Sequence, residues 1–436
     1  MSTIIEEACK GTITQVMEEV AQKENVPADY LRDMVAQGKI VIPLNRNRKS
    51  TMVGIGKGLS TKVNASIGTS SDIMDMDNEI NKAMAAEACG ADTLMELSVG
   101  GDLDLIRREI LAAVKLPVGN VPLYQAFCEA AKKYHDPNKL SEEMLFDLIE
   151  KQCADGISFM AIHCGINLYT IERLRNQGYR YGGLVSKGGT SMVGWMISNR
   201  KENPLYEKFD RVASILKKYD VVLSLGNGLR AGAIHDSFDR AQVQELILNC
   251  ELAEIGRKMG CQMMVEGPGH VPLDEIEANI VLQKRMSNEA PYYMLGPIAT
   301  DAAPGFDHIS SAIGAASSAR YGADLICYIT PAEHLALPTV EDVRIGVKAA
   351  KIAVYIGDMN KYKESGRMRD KEISKARRDS DWEKQFKYAL FEDDAREIRR
   401  SREPQNKRTC TMCGEFCANE GSSRLFRDNL IPGEKL

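Results

Sequence analysis

The stretch Met263-Met264-Val265-Glu266-Gly267-Pro268-Gly269-His270 is a short apolar run that ends in a carboxylate and continues into a glycine- and proline-rich loop. Similar apolar or β-branched runs recur along the chain and alternate with amphipathic segments long enough for crossover helices. We predict strands at Thr93–Ser98, Val118–Leu123, Ile157–His163, Gly182–Ser186, Val221–Leu225, Gln262–Glu266, Tyr292–Pro297 and Leu325–Thr330. Eight strands over roughly 240 residues are typical of an α/β fold of the (β/α)8 TIM-barrel type.

Polar side chains gather where the predicted strands end, which is where a TIM barrel builds its active site. They are Tyr124, His163, Ser186, Lys187, Gly188, Asn227, Gly228, Leu229, Arg230 and Glu266. The turn at Ser186 offers backbone amides, a hydroxyl and an ammonium, so it is either a phosphate cradle or an ordinary turn. Arg230 adds the bidentate fork that anionic groups bind. We expect these side chains to converge on one pocket.

Two histidines stand out because each lies beside a loop with glycine or proline at a predicted strand end. His270 and His334 are placed to share one divalent ion. His135, in contrast, lies in a polar loop and is expected to be a solvated surface residue.

The remaining chain predicts two further regions. Residues 1–90 form a small N-terminal α+β subdomain that begins with a helix at Ile4–Lys23, and residues 91–357 form the barrel. Residues 358–436 form C-terminal helices, including a strongly helical, charge-rich segment Glu372–Arg399, and then a tail after a flexible hinge at Glu403–Lys407.

That tail carries Cys410, Cys413 and Cys417 within eight residues, and no Cys or His follows them. Structural zinc takes four protein ligands, so a zinc site would need a distant fourth ligand. A cubane iron–sulfur cluster held by three cysteines leaves one iron open to a small molecule, which in radical enzymes is S-adenosylmethionine. The spacing also occurs in plain electron-transfer and zinc sites, so both readings stay open.

Composition limits the class of protein. The chain has 436 residues, 44% of them hydrophobic, and a formal net charge of −5, and nothing in it suggests nucleic-acid binding. The N-terminus lacks the pattern of a signal peptide, and no run approaches the length that spans a membrane. The eleven cysteines lack the spacing of a disulfide framework. We therefore expect a cytoplasmic enzyme in a reducing compartment.

Several of these motifs together resemble the phosphomethylpyrimidine synthase family, the ThiC-like radical S-adenosylmethionine enzymes that rearrange 5-aminoimidazole ribotide. The carriers include Val63-Asn64-Ala65, Val121–Ala126, Glu266–Pro272, Phe306–Ile309, Thr330–Leu335 and the C-terminal cysteines. The likeness runs from about Val63 to Cys417.

The resemblance implies cofactors, partners and site residues. It implies a 4Fe–4S cluster on Cys410, Cys413 and Cys417, S-adenosylmethionine, and a divalent metal, zinc or iron, at His270 and His334. It implies a homodimer and a reductant protein such as flavodoxin or ferredoxin. By position, the ribotide pocket is lined by Met95, Tyr124, His163, Ser186, Lys187, Gly188, Gly228, Leu229, Arg230, Glu266 and Tyr293. Glu266, His163 and Tyr124 are the candidates for proton transfer.

The sequence departs from the family pattern at two substrate-contact positions. Ser66 and Asn227 stand where the pyrimidine synthases usually have Asn and Asp. The spacing from Cys413 to Cys417 is also one residue shorter than in the long bacterial members. The two substitutions favour a sister branch that converts the same ribotide to 5-hydroxybenzimidazole, the lower-ligand precursor in anaerobic cobalamin biosynthesis, whereas the cysteine spacing says little about the product.

Other functions remain open at this point. The pyrimidine synthase of thiamin biosynthesis is the first alternative. The others are a non-catalytic zinc-binding barrel protein and a barrel hydrolase that uses His270, His334 and Glu266 on a metal-activated water.

Overall fold

The computed structural model describes residues 2–427 of the chain. It divides into two compact units, one ending at Asp358 and the other beginning at Met359. The first unit contains the strands, and the second contains helices and the cysteine tail. No helix in the part of the chain that the structure describes is long and apolar enough to cross a membrane.

The strands of the first unit form a barrel and a small separate sheet. The bounds are β1 (Ile40–Val41), β2 (Ile55–Gly56), β3 (Lys62–Ile67), β4 (Thr93–Glu96), β5 (Val118–Asn120), β6 (Phe159–Ile162), β7 (Val222–Leu225), β8 (Met263–Gly267), β9 (Tyr292–Met294) and β10 (Leu325–Cys327). Within the described residues, β3 to β10 pair in parallel in chain order, and β10 pairs with β3 to close an eight-stranded barrel. The predicted (β/α)8 fold is confirmed.

The helices surround the barrel and build the second unit. They are α1 (Ile4–Cys9), α2 (Gln15–Glu24), α3 (Ala28–Ala36), α4 (Met76–Ala88), α5 (Leu103–Ala113), α6 (Pro122–Tyr134), α7 (Glu142–Asp155), α8 (Leu168–Gln177), α9 (Lys187–Asn199), α10 (Pro204–Glu207), α11 (Phe209–Tyr219), α12 (Arg240–Lys258), α13 (Leu273–Met286), α14 (Asp307–Tyr321), α15 (Val340–Lys361), α16 (Lys363–Gly366), α17 (Met368–Arg378), α18 (Trp382–Tyr388), α19 (Glu392–Arg400) and α20 (Ala418–Arg427). Short 3-10 helices occupy Pro137–Lys139, Ile234–Asp236 and Gly414–Phe416.

Local chemistry sets where these elements begin and end. The Ser141 side chain accepts a hydrogen bond from the Met144 amide and starts α7, which ends at Gly156 in a left-handed conformation with φ 110°. Strands such as β6 and β8 are buried along their whole length. This follows because parallel strands in a barrel are covered on both faces, so their sequences are continuously apolar.

One predicted strand is wrong, and one barrel strand lies in a segment that we had assigned to the N-terminal subdomain. Gly182–Ser186 is not a barrel strand; it lies in the long connection from β6 to β7 and makes only an isolated bridge at Leu184. Gly183 has φ +64°, which breaks an extended run, and Ser186 serves as the N-cap of α9. The first barrel strand is instead Lys62–Ile67, within the segment that we assigned to the N-terminal subdomain.

The residues before β3 cover the end of the barrel where the strands start. Gln262, just before β8, accepts a hydrogen bond from the Ile42 amide (2.7 Å) and donates to the Ile42 carbonyl (3.1 Å). Asp220, just before β7, accepts from the Ile4 amide at 2.9 Å. The Arg48 guanidinium donates to three backbone carbonyls between α5 and β5. These bonds leave the opposite end of the barrel for chemistry.

The second unit is a group of helices packed on aromatic side chains. The Arg399 guanidinium lies 3.5 Å from the centroid of the Trp382 ring, and that of Arg396 lies 4.6 Å from the Phe386 ring. The segment Glu372–Arg399, predicted as one strongly helical stretch, is divided among α17, α18 and α19. Ser380 has φ +56° and ends the first of these helices.

Candidate active site

A cavity of about 230 Å³ lies at the end of the barrel where the strands finish. Side chains from around the barrel form its walls, as expected for this fold. The predicted residues among them are Ser66, Met95, Tyr124, His163, Arg230, Glu266 and Tyr293. The cavity therefore brings together side chains that are far apart in sequence, such as Met95 and Tyr293, which are separated by 198 positions and whose sulfur and hydroxyl are 3.5 Å apart.

Glu266 is a buried carboxyl in the cavity wall. The Ser224 hydroxyl donates to Glu266 Oε1 at 2.8 Å, and Glu266 pairs in register with Tyr293 on β9. Burial raises the pKa of Glu266, although the Ser224 hydrogen bond and the positive charge of Arg230 oppose the shift. Glu266 is thus a carboxyl that can hold or release a proton at a site closed to solvent.

His163 is buried at the end of β6 and is linked to the start of α9. Its Nε2 lies 3.1 Å from the Ser186 hydroxyl, which also accepts the Gly189 amide at 3.0 Å. Burial lowers the pKa of His163 to about 3, and the nearby Arg230 adds to the effect. The imidazole is therefore neutral near pH 7. Within the described residues its Nδ1 has no hydrogen-bond partner.

Glycine 188 allows α9 to approach His163 closely. A Cβ atom at this position would lie 2.4 Å from His163 Cε1. Since real Cβ atoms do not come so near another heavy atom, any side chain at 188 would displace the imidazole. The Ser186-Lys187-Gly188 turn thus holds both the helix start and the imidazole.

Positive charge at the site comes from the side chains of Lys187 and Arg230. Lys187 Nζ lies 4.8 Å from the centroid of the Tyr124 ring. The Arg230 side chain lines the cavity, and its Nη1 donates to the Asn227 carbonyl at 3.1 Å. The amides at the start of α9 add the positive end of a helix dipole. These groups suit a phosphate.

The loop from Asn227 to Leu229 is held by a residue that sequence reasoning missed. Glu245, on α12, accepts the Gly228 and Leu229 amides, each at 2.7 Å. Asn227 Nδ2 lies 3.4 Å from the same carboxyl, whose pKa burial raises to about 8. An aspartate at position 227 would place a second carboxyl beside Glu245, so asparagine suits this environment.

Ser66 contacts the thiol of Cys327, which the sequence also did not identify as a site residue. Its hydroxyl lies 3.2 Å from the sulfur of Cys327, which lines the cavity from β10. The Asn64 amide donates to the same sulfur at 3.7 Å and to Ser66 Oγ at 3.3 Å. Burial raises the pKa of Cys327, so it remains a thiol at neutral pH. The side chain at position 66 is therefore fixed between β3 and β10.

His270 and His334 lie together, as predicted, with ring centroids 5.3 Å apart. Asp301 Oδ1 lies 2.7 Å from His270 Nδ1, and Asp307 Oδ2 lies 3.4 Å from His334 Nδ1. A carboxylate on one ring nitrogen orients the other nitrogen toward a metal. Among the described residues, no group of three or more His, Cys, Asp or Glu is arranged to hold a metal. An ion at this pair would need further ligands from water or substrate.

The tail cysteines lie in the second unit. All eleven cysteines fall within the described residues and have free thiols. Cys410 and Cys417 are half-buried, and Cys413 is exposed. In the described part of the chain they do not form a closed metal site.

Six predicted residues do not line the cavity: Ser186, Lys187, Gly188, Asn227, Gly228 and Leu229. They lie behind its walls, because Ser186 contacts His163, Lys187 lies over Tyr124, and Asn227 accepts from Arg230. The walls also include Thr330, which ends the last predicted strand, and the half-buried Glu333, which follows it. Thr330 Oγ1 is buried, and among the described residues it has no hydrogen-bond partner.

Comparisons with known proteins identify the family of the chain. Residues 3–424 match the model of the Radical SAM ThiC family. The 5-hydroxybenzimidazole synthase of Geobacter metallireducens is 74% identical over the full length of both chains. That of Geobacter sulfurreducens is 73% identical over 99% of each chain. Phosphomethylpyrimidine synthase 1 of Methanosarcina barkeri is 56% identical over 95% of this chain and 97% of its own.

Proposed function

The chain belongs to the radical SAM ThiC family, and from this premise we infer that it is a radical S-adenosylmethionine enzyme that makes 5-hydroxybenzimidazole. The observation that carries the choice of product is the gap in identity among relatives. Two synthases of this product are 74% and 73% identical, whereas the pyrimidine synthase is 56% identical. Ser66 and Asn227 differ from the pyrimidine synthase pattern and support the same choice.

We propose 5-aminoimidazole ribotide as the substrate. The ribotide has a phosphate, ribose hydroxyls and a flat, polar base. Arg230 lines the cavity and suits the phosphate, while Lys187 and the start of α9 lie behind the wall and add positive potential. The unpartnered Thr330 Oγ1 and the carboxyl of Glu266 suit hydroxyl or amine groups. Met95 and Tyr293 offer apolar surface for the ring.

The cofactor set fits the three tail cysteines. Cys410, Cys413 and Cys417 have free thiols within eight residues, and three thiolates leave one iron of a 4Fe–4S cluster open. When bound, the cluster and S-adenosylmethionine supply a carbon radical that abstracts a hydrogen atom.

The chain's own residues then hold the ribotide and move protons. Tyr124 stays protonated because burial raises the pKa of its hydroxyl, so it can donate a hydrogen bond. Glu266 can exchange a proton with the ligand, since burial raises its pKa toward neutrality. His163 stays neutral and can donate from one ring nitrogen. The buried walls keep water from reactive intermediates.

We further propose a divalent ion, zinc or iron, at His270 and His334. The support is the pair of oriented imidazoles, each with a carboxylate on Nδ1. A homodimer, a flavodoxin or ferredoxin as reductant, and a cytoplasmic location complete the proposal. Free thiols throughout the described chain fit a reducing compartment.

The test is an anaerobic incubation of reconstituted protein with reductant, S-adenosylmethionine and 5-aminoimidazole ribotide, followed by mass spectrometry. We expect 5-hydroxybenzimidazole and 5′-deoxyadenosine, and neither from a Cys413→Ala variant. The phosphorylated hydroxymethylpyrimidine would identify a thiamin enzyme instead. A protein that forms no 5′-deoxyadenosine, and whose visible spectrum lacks a cluster after reconstitution, would contradict the radical assignment and favour a zinc protein.

A further inference from the structure

The second unit contains an apolar groove beside one of the cluster cysteines. Its volume is about 430 Å³, and Cys410 forms part of its wall. The apolar lining comes from Ile373, Trp382, Phe386 and Met412. Met412 is 90% exposed, which is unusual for a large apolar side chain. The groove is thus an accessible apolar surface in direct contact with a ligand of the proposed cluster.

The groove is bordered by positive charge. Residues 396–408 carry six basic side chains and two acidic ones, in a chain whose formal net charge is −5. Arg402 lines the groove and is exposed, as is Lys407 nearby in sequence. Neither side chain has an acidic partner within ion-pair distance among the described residues. Arg400 pairs with Glu397 at 3.6 Å, but both are largely exposed. Arg396 and Arg408 are also paired with carboxylates, so the positive potential of the border rests on Arg399, Arg402 and Lys407.

We propose that this groove and its basic border dock an acidic one-electron donor protein of the flavodoxin or ferredoxin class. The inference rests on the proposed radical function, which needs one electron for each cleavage of S-adenosylmethionine. The donor loses one electron and the cluster gains one, and no bond of this chain is made or broken. Transient electron-transfer complexes have small interfaces, and complementary charge steers their association. An apolar centre beside Cys410 with a basic border matches that pattern.

The first experiment measures binding and does not depend on turnover. Purified oxidised flavodoxin is titrated into reconstituted full-length protein by calorimetry at about 0.01 M and about 0.3 M ionic strength, where electrostatic screening differs strongly. We expect binding at low salt that weakens at high salt. An Arg402→Glu, Lys407→Glu double variant should bind about tenfold more weakly, because two attractions become repulsions.

Two matched variants separate charge from structure. Lys49→Glu with Lys115→Glu makes the same charge change on exposed lysines of the barrel unit, and it should leave the affinity for flavodoxin unchanged. Arg402→Lys with Lys407→Arg keeps the charge and should also bind as the wild type does. If the reversal variant binds flavodoxin as tightly as the wild type, the docking site is wrong.

The second experiment compares two electron sources. With dithionite, the double reversal should form 5′-deoxyadenosine at the wild-type rate; with reduced flavodoxin, its rate at limiting donor should fall about tenfold. If the wild type and all variants form no 5′-deoxyadenosine with dithionite, the proposed function is contradicted. The calorimetry would still decide the docking site, because it does not depend on turnover. If the reversal instead changes the oligomeric state, the groove is an interface between copies of this chain and the proposal is overturned.

Discussion

A larger side chain at position 66 should weaken ribotide binding. Ser66 Oγ already lies 3.2 Å from the sulfur of Cys327 and 3.3 Å from the Asn64 amide. An asparagine has no room beside these groups, so its amide must extend into the cavity of about 230 Å³. The added volume is close to that of one water molecule, about 30 Å³. It would occupy part of the space that is open to the ligand.

The expected cost follows from that loss of space. Overfilling a packed site costs about 1–3 kcal/mol, which corresponds to an affinity about fivefold to 150-fold weaker. Ser66→Ala removes the hydroxyl without adding volume, and the loss of one hydrogen bond costs about 1 kcal/mol. We therefore expect Ser66→Asn to weaken binding more than Ser66→Ala.

The assay is calorimetric binding of 5-aminoimidazole ribotide to protein without its cluster, so that radical chemistry does not enter. Product analysis of the reconstituted variants then shows whether 5-hydroxybenzimidazole still forms. Equal affinity in Ser66→Asn and the wild type would refute the reasoning, because the amide would then occupy space that the ribotide does not use. A switch to the pyrimidine product would show that this position selects the reaction.

Further changes test other parts of the structure. Gly188→Ala should abolish activity because its Cβ would lie 2.4 Å from His163, whereas Gly194→Ala on the same helix meets nothing nearer than 3.7 Å and should raise the melting temperature slightly. Asp301→Ala should weaken zinc binding about 10- to 100-fold, measured by competition with a chromophoric chelator, because His270 loses its orienting carboxylate; unchanged affinity would argue against a metal at this pair. Burial raises the pKa of Asp220 from 3.8 to about 6, so its favourable contribution is complete below pH 4 and is lost as pH rises through 6. In urea unfolding, the wild type should therefore lose about 3 kcal/mol relative to Asp220→Asn between pH 4 and pH 7, and parallel pH curves would contradict this.

The sequence predicted the barrel well because each parallel strand is buried on both faces and reads as an apolar run. It failed at Lys62–Ile67, where Asn64 and Ser66 interrupt that run; they lie on the same face of β3 and contact Cys327 of β10 across the closing seam. At Gly182–Ser186 the sequence predicted a strand that the barrel does not contain, because Leu184 and Val185 are apolar but the neighbouring glycines turn the chain. Seven of the eight predicted strands overlap barrel strands, and their ends differ by up to three residues.

Cys327 and Glu245, the site residues that the sequence did not identify, lie in stretches whose pattern gives no sign of a functional role. Cys327 looks like an ordinary apolar residue of a strand, and its partner Ser66 lies 261 positions away. Glu245 sits in the middle of a long helix, where a carboxylate usually indicates a solvated face, yet it is fully buried and holds the Asn227–Leu229 loop. Only the three-dimensional register shows what such residues contact.

The division into two compact units has a consequence for damage and repair. Iron–sulfur clusters are the oxygen-sensitive part of such enzymes, and here the cysteines that would hold one belong to the unit that begins at Met359. The closed barrel and its cavity are complete without them. Loss of the iron centre would therefore leave the barrel and its cavity in place. A cell recovering from oxygen stress would rebuild the iron centre on existing polypeptide instead of synthesising the enzyme again.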